Sequence, residues 1–526
     1  MAKDKVTKTQ KSMEETLWES ANKLRGSVES SEYKHIVLGL IFLKFVSDTF
    51  EERREKLLAE GKEAFIDMVE FYTMENVFYL PENSRWSYIK QNSKQDDIAL
   101  KIDTALATIE KNNPSLKGAL PDNYFSRLGL DVSKLASLID TINNINTIED
   151  KGHDVVGRVY EYFLGEFALA EGKLGGQFYT PKSIVNLLAN MIEPYRGKIY
   201  DPACGSGGMF IQSLKFIEAH KGNKKDISIY GQEFTATTYK LAKMNLAIRG
   251  ISANLGSVPA DTFFKDQHPD LKADYIMANP PFNQKEWRGV NELLDDPRWA
   301  GYDVPSTSNA NYGWILHMVS KLSENGIAGF VLAKGSLTSN SSNEGEIRKQ
   351  LIENNLIDAI VNLPAKLFFN TQIPACLWFI KKNRKTTDIL FIDARNLGHL
   401  INRKNKDFSP EDIEQVASTY HNWKLGKSGT KVPHPNVSVG SGTHTPQYED
   451  IKGFCKSASI EEVRELKYVL TPGRYVGLEE SEDEFDFKER FTTLQNELLE
   501  QMNEEKALND RIISNLAKID MAVGDE

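Results

Sequence analysis

Cysteine is scarce in this chain. Only three occur in 526 residues, Cys204, Cys376 and Cys455, far apart and without CxxC spacing. Neither a disulfide framework nor a zinc cluster is suggested, and a reducing cytoplasm fits. The histidines show no HxxxH or similar spacing, so no metal site is expected. Long hydrophobic runs are lacking too. The most apolar stretch, Ile36 to Phe45, is interrupted by Lys44 and falls short of the about 20 apolar residues that a bilayer span needs. It reads as a buried amphipathic helix, and no membrane partner is expected. The opening MAKDKVTKTQ is basic, but no apolar core follows it, so it does not read as a signal peptide. A basic excess is also missing: 64 Lys and Arg stand against 74 Asp and Glu, a formal net charge of −10. A chain that grips nucleic acid unaided usually shows a basic footprint, because phosphate contacts supply most non-specific affinity. Here either a local basic face is hidden in the average, or a partner supplies the grip.

What remains is an ordinary globular composition, 40% apolar and 26% charged. The length suggests roughly two or three domains. Residues 1–165 read as helical, with helical spacing of apolar residues in Met13–Leu24 and Glu32–Leu58. Breaks are expected at Pro81-Glu82-Asn83, Asn112-Asn113-Pro114 and Pro121-Asp122-Asn123. Residues 166–475 alternate short β-rich runs with helical stretches. The runs are Lys198–Tyr200, Ile227–Tyr230, Ala273–Met277, Ile327–Leu332, Ile357–Leu363, Ala375–Ile380 and Asp388–Asp393. Helices are expected at Ser183–Ile192, Met209–Ile217 and Thr235–Arg249. Such alternation predicts an α/β fold with a parallel sheet covered on both faces. Within it, 400–450 is polar and rich in Gly, Ser, Pro and His, and reads as irregular loop. Residues 476–526 open with an acidic run, Glu479 to Asp486. A long helix follows, with a stripe of Phe491, Leu494, Leu498, Met502, Ile512, Leu516 and Ile519. That stripe either packs on its own protein or is offered to a partner's helices.

Four stretches carry chemistry. Asp201-Pro202-Ala203-Cys204-Gly205-Ser206-Gly207-Gly208 lies between a strand and a helix. Small residues let such a turn approach a ligand closely at a helix N-terminus. A glycine-rich turn alone is weak evidence. The leading Asp201 sharpens it, because a carboxylate can accept from an ammonium or a buried amide. No Lys-Ser/Thr follows the glycines, so it does not read as a phosphate cradle. Glu233, at the end of the next strand, sits where a carboxylate takes both ribose hydroxyls of an adenosine; a surface glutamate is the plainer alternative. It lies about 30 residues past the turn, against the about 20 of the dinucleotide fingerprint. Asn279-Pro280-Pro281-Phe282 follows a strand. Its prolines lock the backbone and remove two donors. The carbonyls and the Asn279 side-chain oxygen then form a rigid set of acceptors, suited to an NH2 conjugated to an aromatic ring. Phe282 would stack on that ring. A turn closing a strand is the plainer reading. Finally, Gly176-Gln177-Phe178-Tyr179-Thr180-Pro181-Lys182 reads as a loop and helix start, and composition alone does not decide its role.

Taken together, GQFYTP, DPACGSGG, the following Glu233 and NPPF resemble the motifs of amino-methyltransferases acting on DNA adenine, in the order of their gamma group. LWESANKLRG and EYKHIVLGLIFLKFVSDTFEER are similar to the N-terminal region of modification subunits of type I restriction–modification systems. The likeness runs from about residue 14 to 385, and more loosely over the C-terminal helix. It implies a Rossmann-like methyltransferase domain that uses S-adenosyl-L-methionine. Gln177, Phe178, Tyr179, Thr180, Pro181 and Lys182 would line the methionine end of the cofactor. Asp201 with Ser206, Gly207 and Gly208 would hold its amino-acid portion. Glu233 would take the ribose, and Asp261 resembles the position that contacts the cofactor adenine. Asn279, Pro280, Pro281 and Phe282 would hold the flipped target adenine. The implied partners are DNA, a specificity subunit, a second copy of the modification subunit and a restriction subunit. A partner that reads the DNA would account for the missing basic excess. Two rivals are a methyltransferase acting on a protein glutamine amide, whose substrate is also a planar NH2, and a scaffold of the same fold that has lost turnover. The GQFYTP loop and the N-terminal segments argue against the first, the intact NPPF against the second.

Overall fold

The computed structural model describes residues 18, 19, 22, 30–145, 162–163, 180–368, 373–402, 405–428, 448–478 and 487–516. Most of Met13–Leu24, the Gln177, Phe178 and Tyr179 positions, the acidic run 479–486 and Ile519 therefore lie outside the described residues. The chain divides into two compact units, Met1–Gly477 and Leu478–Glu526.

The larger unit begins with a helical layer. Helix α1 (Ser30–Ala59) buries Ile36, Val37, Leu38, Leu40, Ile41, Phe42 and Leu43 in succession. A helix apolar on all sides belongs at the centre of a layer. Around it pack α2 (Ile98–Asn112) and α3 (Val132–Asn143). The expected breaks are real. Helix α2 stops at Asn112 before Pro114, and a turn occupies 121–123. Buried Asp103 secures the chain beyond that turn, accepting from the amides of Tyr124, Phe125 and Ser126 at 3.0, 2.9 and 2.8 Å.

The remainder is built on a nine-stranded sheet in the order β11-β8-β6-β7-β5-β4-β1-β2-β3. Its strands are β1 (Gly197–Asp201), β2 (Ile227–Gly231), β3 (Ala253–Asn254), β4 (Ala273–Ala278), β5 (Leu322–Ala333), β6 (Ile357–Asn362), β7 (Ala375–Lys381), β8 (Ile389–Asp393) and β11 (Cys455–Ala458). Alternate residues face opposite cores, as a period of two requires. Ile199, Leu377 and Phe379 meet α4 (Lys182–Ile192) and α5 (Gly208–Ala219) on one face. Tyr200, Trp378 and Ile380 meet α7 (Asn311–Lys321) and α8 (Glu344–Glu353) on the other. Helix α6 (Ala236–Ile248) joins the layers: Tyr239, Ala242 and Leu246 pack with the sheet, while Leu241, Met244 and Ile248 enter the helical core.

Two expectations need correction. The sheet is mixed rather than parallel, because β7 runs antiparallel to both β5 and β6, and β11 antiparallel to β8. Strands β6 and β7 are neighbours in sequence and pair antiparallel, the arrangement a direct connection gives. The region read as irregular contains structure. Strands β9 (His399–Leu400) and β10 (Lys406–Asp407) form a hairpin, and α9 (Pro410–Ser428) packs on α4 through Val416, Ala417, Tyr420 and Trp423. That helical spacing is hidden inside a polar average.

In the smaller unit, helix α10 (Phe487–Leu516) carries Phe491, Leu494, Leu498 and Met502 at three- and four-residue steps on one stripe, which Ile512 rejoins further along. No described helix is long and apolar enough to cross a membrane.

Candidate active site

Parallel strands bring their carboxyl ends to one edge of the sheet. That edge collects Asp201 of β1, Glu233 just past β2, Asn279 just past β4, Asn362 of β6 and Asp393 of β8. Open α/β sheets bind ligands along this edge. Asp201 is buried and accepts from the amide of Ala203 at 3.0 Å. Burial pushes its carboxyl up to about 8, and the nearby Glu233 carboxylate adds to the rise against that amide. The turn beyond it needs glycine, since Gly205 and Gly207 hold φ of +54° and +82°. Gly207 caps α5, Gly208 opens it, and the Ser206 carbonyl accepts from Asn245 Nδ2 at 2.8 Å. Glu233 braces the same turn. One oxygen accepts from Gly205 N at 3.1 Å, the other from Thr235 N at 2.8 Å. Burial raises its carboxyl, and these amides oppose the rise.

Asp261 sits in the next loop. Its Oδ1 accepts from the amides of Phe263 and Phe264 at 2.7 and 3.3 Å, so part of its capacity is spent locally. Two residues that motif reading passed over fix this loop. Gln232 is fully buried; its Nε2 donates to the carbonyls of Ala260 and Lys265, and its Oε1 accepts from Gln267 N. Arg298 donates to the carbonyls of Thr262 and Phe263 at 3.0 and 2.6 Å while clasping Asp296. Thr262 Oγ1 in turn donates to Pro202 O at 2.6 Å, closing the loop onto the glycine-rich turn. Gln232 was legible as a polar residue at a strand end beside Glu233. Arg298 carried no local signal. Phe234 is a third omission: it follows Glu233 directly and is 70% exposed. A large aromatic left in solvent beside a half-buried carboxylate suits stacking on a planar ligand.

Asn279 directly follows β4 and is held, among the described residues, by one bond from its Nδ2 to Thr180 Oγ1 at 2.9 Å. That bond fixes which way the amide points. Its Oδ1 is buried and has no hydrogen-bond partner among the described residues. A buried acceptor left unmade costs about 1–3 kcal/mol. Such a cost is retained where a ligand atom completes the bond. Pro280 is buried and Pro281 half-buried. Phe282 is buried with its ring edge-on to Phe368, 5.7 Å between centroids. Pro181 caps α4 and Lys182 opens it, exposed. The structure thus brings Thr180 to Asn279, Glu233 to the glycine turn, and the Asp261 loop to both strand ends. Among the described residues there is no cluster of His, Cys, Asp or Glu able to hold a metal ion.

Residues 13–142 match the HsdM N-terminal domain, and residues 151–484 match the N-6 DNA Methylase family. The HindI type I restriction enzyme methylase subunit of Haemophilus influenzae is 44% identical over 460 residues, spanning 83% of this chain and 99% of that relative. The MjaIX methylase subunit of Methanocaldococcus jannaschii is 37% identical over 522 residues, spanning 95% and 90%. A crystal structure of the type I restriction-modification methyltransferase subunit from Streptococcus thermophilus has the same fold, with a TM-score of 0.72 at 24% identity, covering 88% of this chain and 99% of that one. With both halves of the sequence matched and relatives aligned nearly end to end, the chain belongs to the N-6 DNA methylase family, among the methylase subunits of type I restriction enzymes.

Proposed function

We propose that this chain transfers a methyl group from S-adenosyl-L-methionine to N6 of an adenine in DNA, as the modification subunit of a type I restriction–modification complex. The observation that carries the reading is Asn279 Oδ1, a buried acceptor without a partner, aimed by Thr180. An adenine amino group has two N–H donors. Asn279 Oδ1 accepts one and the Pro280 carbonyl the other. Drawing on both pulls the nitrogen toward a tetrahedral shape and localises its lone pair. Phe282 stacks on the base, which must leave the duplex because N6 is out of reach inside the stack. Positioning and electrostatics do the work, without a covalent intermediate on the chain.

The cofactor residues fit the group. Bound S-adenosyl-L-methionine supplies an electrophilic methyl on a sulfonium. Asp201 accepts from the amino-acid ammonium, since it is a buried carboxylate with no ion-pair partner among the described residues. Ser206, Gly207 and Gly208 offer backbone at the start of α5. Glu233 takes the ribose, Asp261 the adenine, and Phe234 walls that adenine. Gln177 to Lys182 cover the methionine end, with Thr180 steering Asn279. The raised Asp201 carboxyl gives a pH dependence. Below about 8 it is mostly neutral and must lose a proton to meet a cation. Cofactor affinity is therefore expected to rise by up to about tenfold per pH unit below 8 and to level off above it. Calorimetric titration across that range checks this; a flat profile counts against Asp201 as the ammonium acceptor.

We assign residues 1–165 to a helical domain, 166–475 to the methyltransferase domain and 476–526 to partner assembly. The apolar stripe of α10 would pack on helices of a specificity subunit, which also supplies DNA reading. A second copy and a restriction subunit would complete the assembly. Its setting is the cytoplasm. The test is nucleoside analysis of DNA from cells co-expressing the full chain and its specificity subunit. N6-methyladenine at one recognition sequence is expected, and removal of residues after 485 is expected to abolish co-purification. Label on protein glutamine, or none on DNA, overturns the reading.

A further inference from the structure

Asp261 is aimed by two peptide groups. Its Oδ1 accepts from the amides of Phe263 and Phe264, at 2.7 and 3.3 Å. In a trans peptide the N–H points away from the carbonyl to which it is joined. The Phe263 amide is therefore set by the Thr262 carbonyl, and the Phe264 amide by the Phe263 carbonyl. One side chain takes both carbonyls: Arg298 Nη1 donates to Thr262 O at 3.0 Å and Nη2 to Phe263 O at 2.6 Å. Arg298 thus grips from behind the same two peptide groups that hold Asp261. A charged donor at one end of a peptide polarises it and strengthens the bond at the other. The second carboxylate oxygen, Asp261 Oδ2, makes no hydrogen bond among the described residues.

Arg298 is itself held on two sides. Nε and Nη2 donate to Asp296 Oδ1 and Oδ2 at 2.7 and 2.5 Å. Burial alone would raise the Asp296 carboxyl, but the bonds from Arg298 outweigh it and keep the group below its usual value. Nη1 also reaches His317 Nδ1 at 3.3 Å. A guanidinium only donates, so Nδ1 accepts and the ring proton sits on Nε2, 3.0 Å from Tyr200 Oη. Burial, with the Arg298 and Lys321 charges, keeps that ring neutral. Tyr200 directly precedes Asp201 on β1. The five donors of the guanidinium are thereby all spent. The segment that carries Arg298 continues the target-base motif. Asn283 follows Phe282, its amide donates to Asn311 Oδ1 at 3.1 Å, and its own Oδ1 accepts from Asn311 Nδ2 at 3.0 Å. Ala310 N donates to Gln284 O at 2.9 Å, so residues 283–310 leave and return at one place.

We infer that Arg298 is a positioning residue for the cofactor: reaching from the loop that continues the target-base motif, it sets the two peptide groups that turn Asp261 toward the adenine of S-adenosyl-L-methionine. The inference rests on the assignment of Asp261 to that adenine. A carboxylate oxygen accepts from an exocyclic amino group and repels a carbonyl oxygen, so a well-aimed Asp261 selects adenine over hypoxanthine. Arg298 spends its donors on the loop, on Asp296 and on His317. Its loss therefore weakens cofactor binding and its selectivity while the chemical step stays in place.

The test uses the full chain with its specificity subunit. Calorimetry measures affinity for S-adenosyl-L-homocysteine and for S-inosyl-L-homocysteine, in which oxygen replaces the exocyclic amino group. Steady-state methylation gives KM for the methyl donor and kcat. For Arg298→Ala, affinity for the adenosyl compound is expected to fall about 10- to 100-fold, KM to rise in parallel, and kcat to stay within about threefold. Preference for the adenosyl over the inosyl compound is expected to shrink from about tenfold to about twofold. Arg298→Lys keeps a charge beside Asp296 but has too few donors for the full set. It is expected to fold and to show the same losses at smaller size, which covers a failure of the alanine variant to fold. Asp261→Ala and the double variant complete a cycle. Because Arg298 acts through Asp261, the double variant is expected to bind within about threefold of Asp261→Ala alone. Unchanged affinity and preference in a folded Arg298 variant overturn the inference. So do additive losses in the double variant, or a fall in kcat at unchanged KM. Asp261→Ala tests the underlying assignment by itself: wild-type binding of both compounds there removes Asp261 from the adenine site, whereas an error confined to Arg298 leaves that variant impaired.

Discussion

Asn279→Ala is expected to lower the methylation rate by about 100- to 1,000-fold, the size seen when one fixed polar contact to a transition state is removed. The substitution deletes the buried Oδ1 acceptor and leaves β4 intact. Its Nδ2 bond to Thr180 is also lost, but the Thr180 hydroxyl can be satisfied by water. Asp201, Glu233 and the glycine turn make their hydrogen bonds without Asn279. Cofactor affinity is therefore expected to change by less than about threefold. Single-turnover transfer to duplex DNA measures the first effect, and calorimetry the second. A variant that methylates normally removes Asn279 from the reaction. A variant that cannot bind cofactor makes it a scaffold residue instead.

The second large effect concerns stability. Asp358, near the start of β6, is 1% exposed and gathers three partners. Oδ1 accepts from Arg384 Nε at 3.0 Å; Oδ2 accepts from Tyr420 Oη at 2.6 Å and from Lys424 Nζ at 2.8 Å. Tyr420 and Lys424 both belong to α9, so this one carboxylate fastens that helix to the sheet. Burial alone would raise its pKa, but Lys424 and Arg384 outweigh burial and hold it below the ordinary carboxylate value. A depressed folded value means the stabilisation is present above the unfolded pKa and fades as pH falls through the folded one. Asp358→Ala would take the carboxylate partner from Arg384, whose side chain is only 2% exposed and keeps only the neutral acceptors Asn355 Oδ1 and the Asp388 carbonyl. Breaking a buried pair from one side costs about 3–5 kcal/mol. Chemical denaturation of the full chain at neutral pH is expected to show a loss of that size, and an acid scan should show it shrinking. A loss under about 1 kcal/mol would mean that Arg384 finds water.

The two sites differ in how much of them could be read beforehand. Asp201, the glycine turn, Glu233 and Asn279–Phe282 each occupy a few consecutive residues at the end of an apolar run. Their chemistry and their strand context were visible together. The network around Asp358 was not. It joins residues 26 to 66 positions apart, and two of its members, Tyr420 and Lys424, lie in a stretch whose composition reads as loop. Gln232 and Arg298 fall between these cases. Each acts by donating to backbone carbonyls, and no side-chain pattern marks which carbonyl will be near.

The strand ends, the motifs standing on them, the helical N-terminal layer and the family likeness follow from the order of residues alone, because each is written in local periodicity or in short contiguous residue sets. That β7 reverses, and that α9 exists and is moored by a buried carboxylate, emerges only in the assembled fold. Those features depend on pairings between distant segments. Their free energy comes from burial and from completed hydrogen bonds in the assembled fold, which no local stretch of sequence contains.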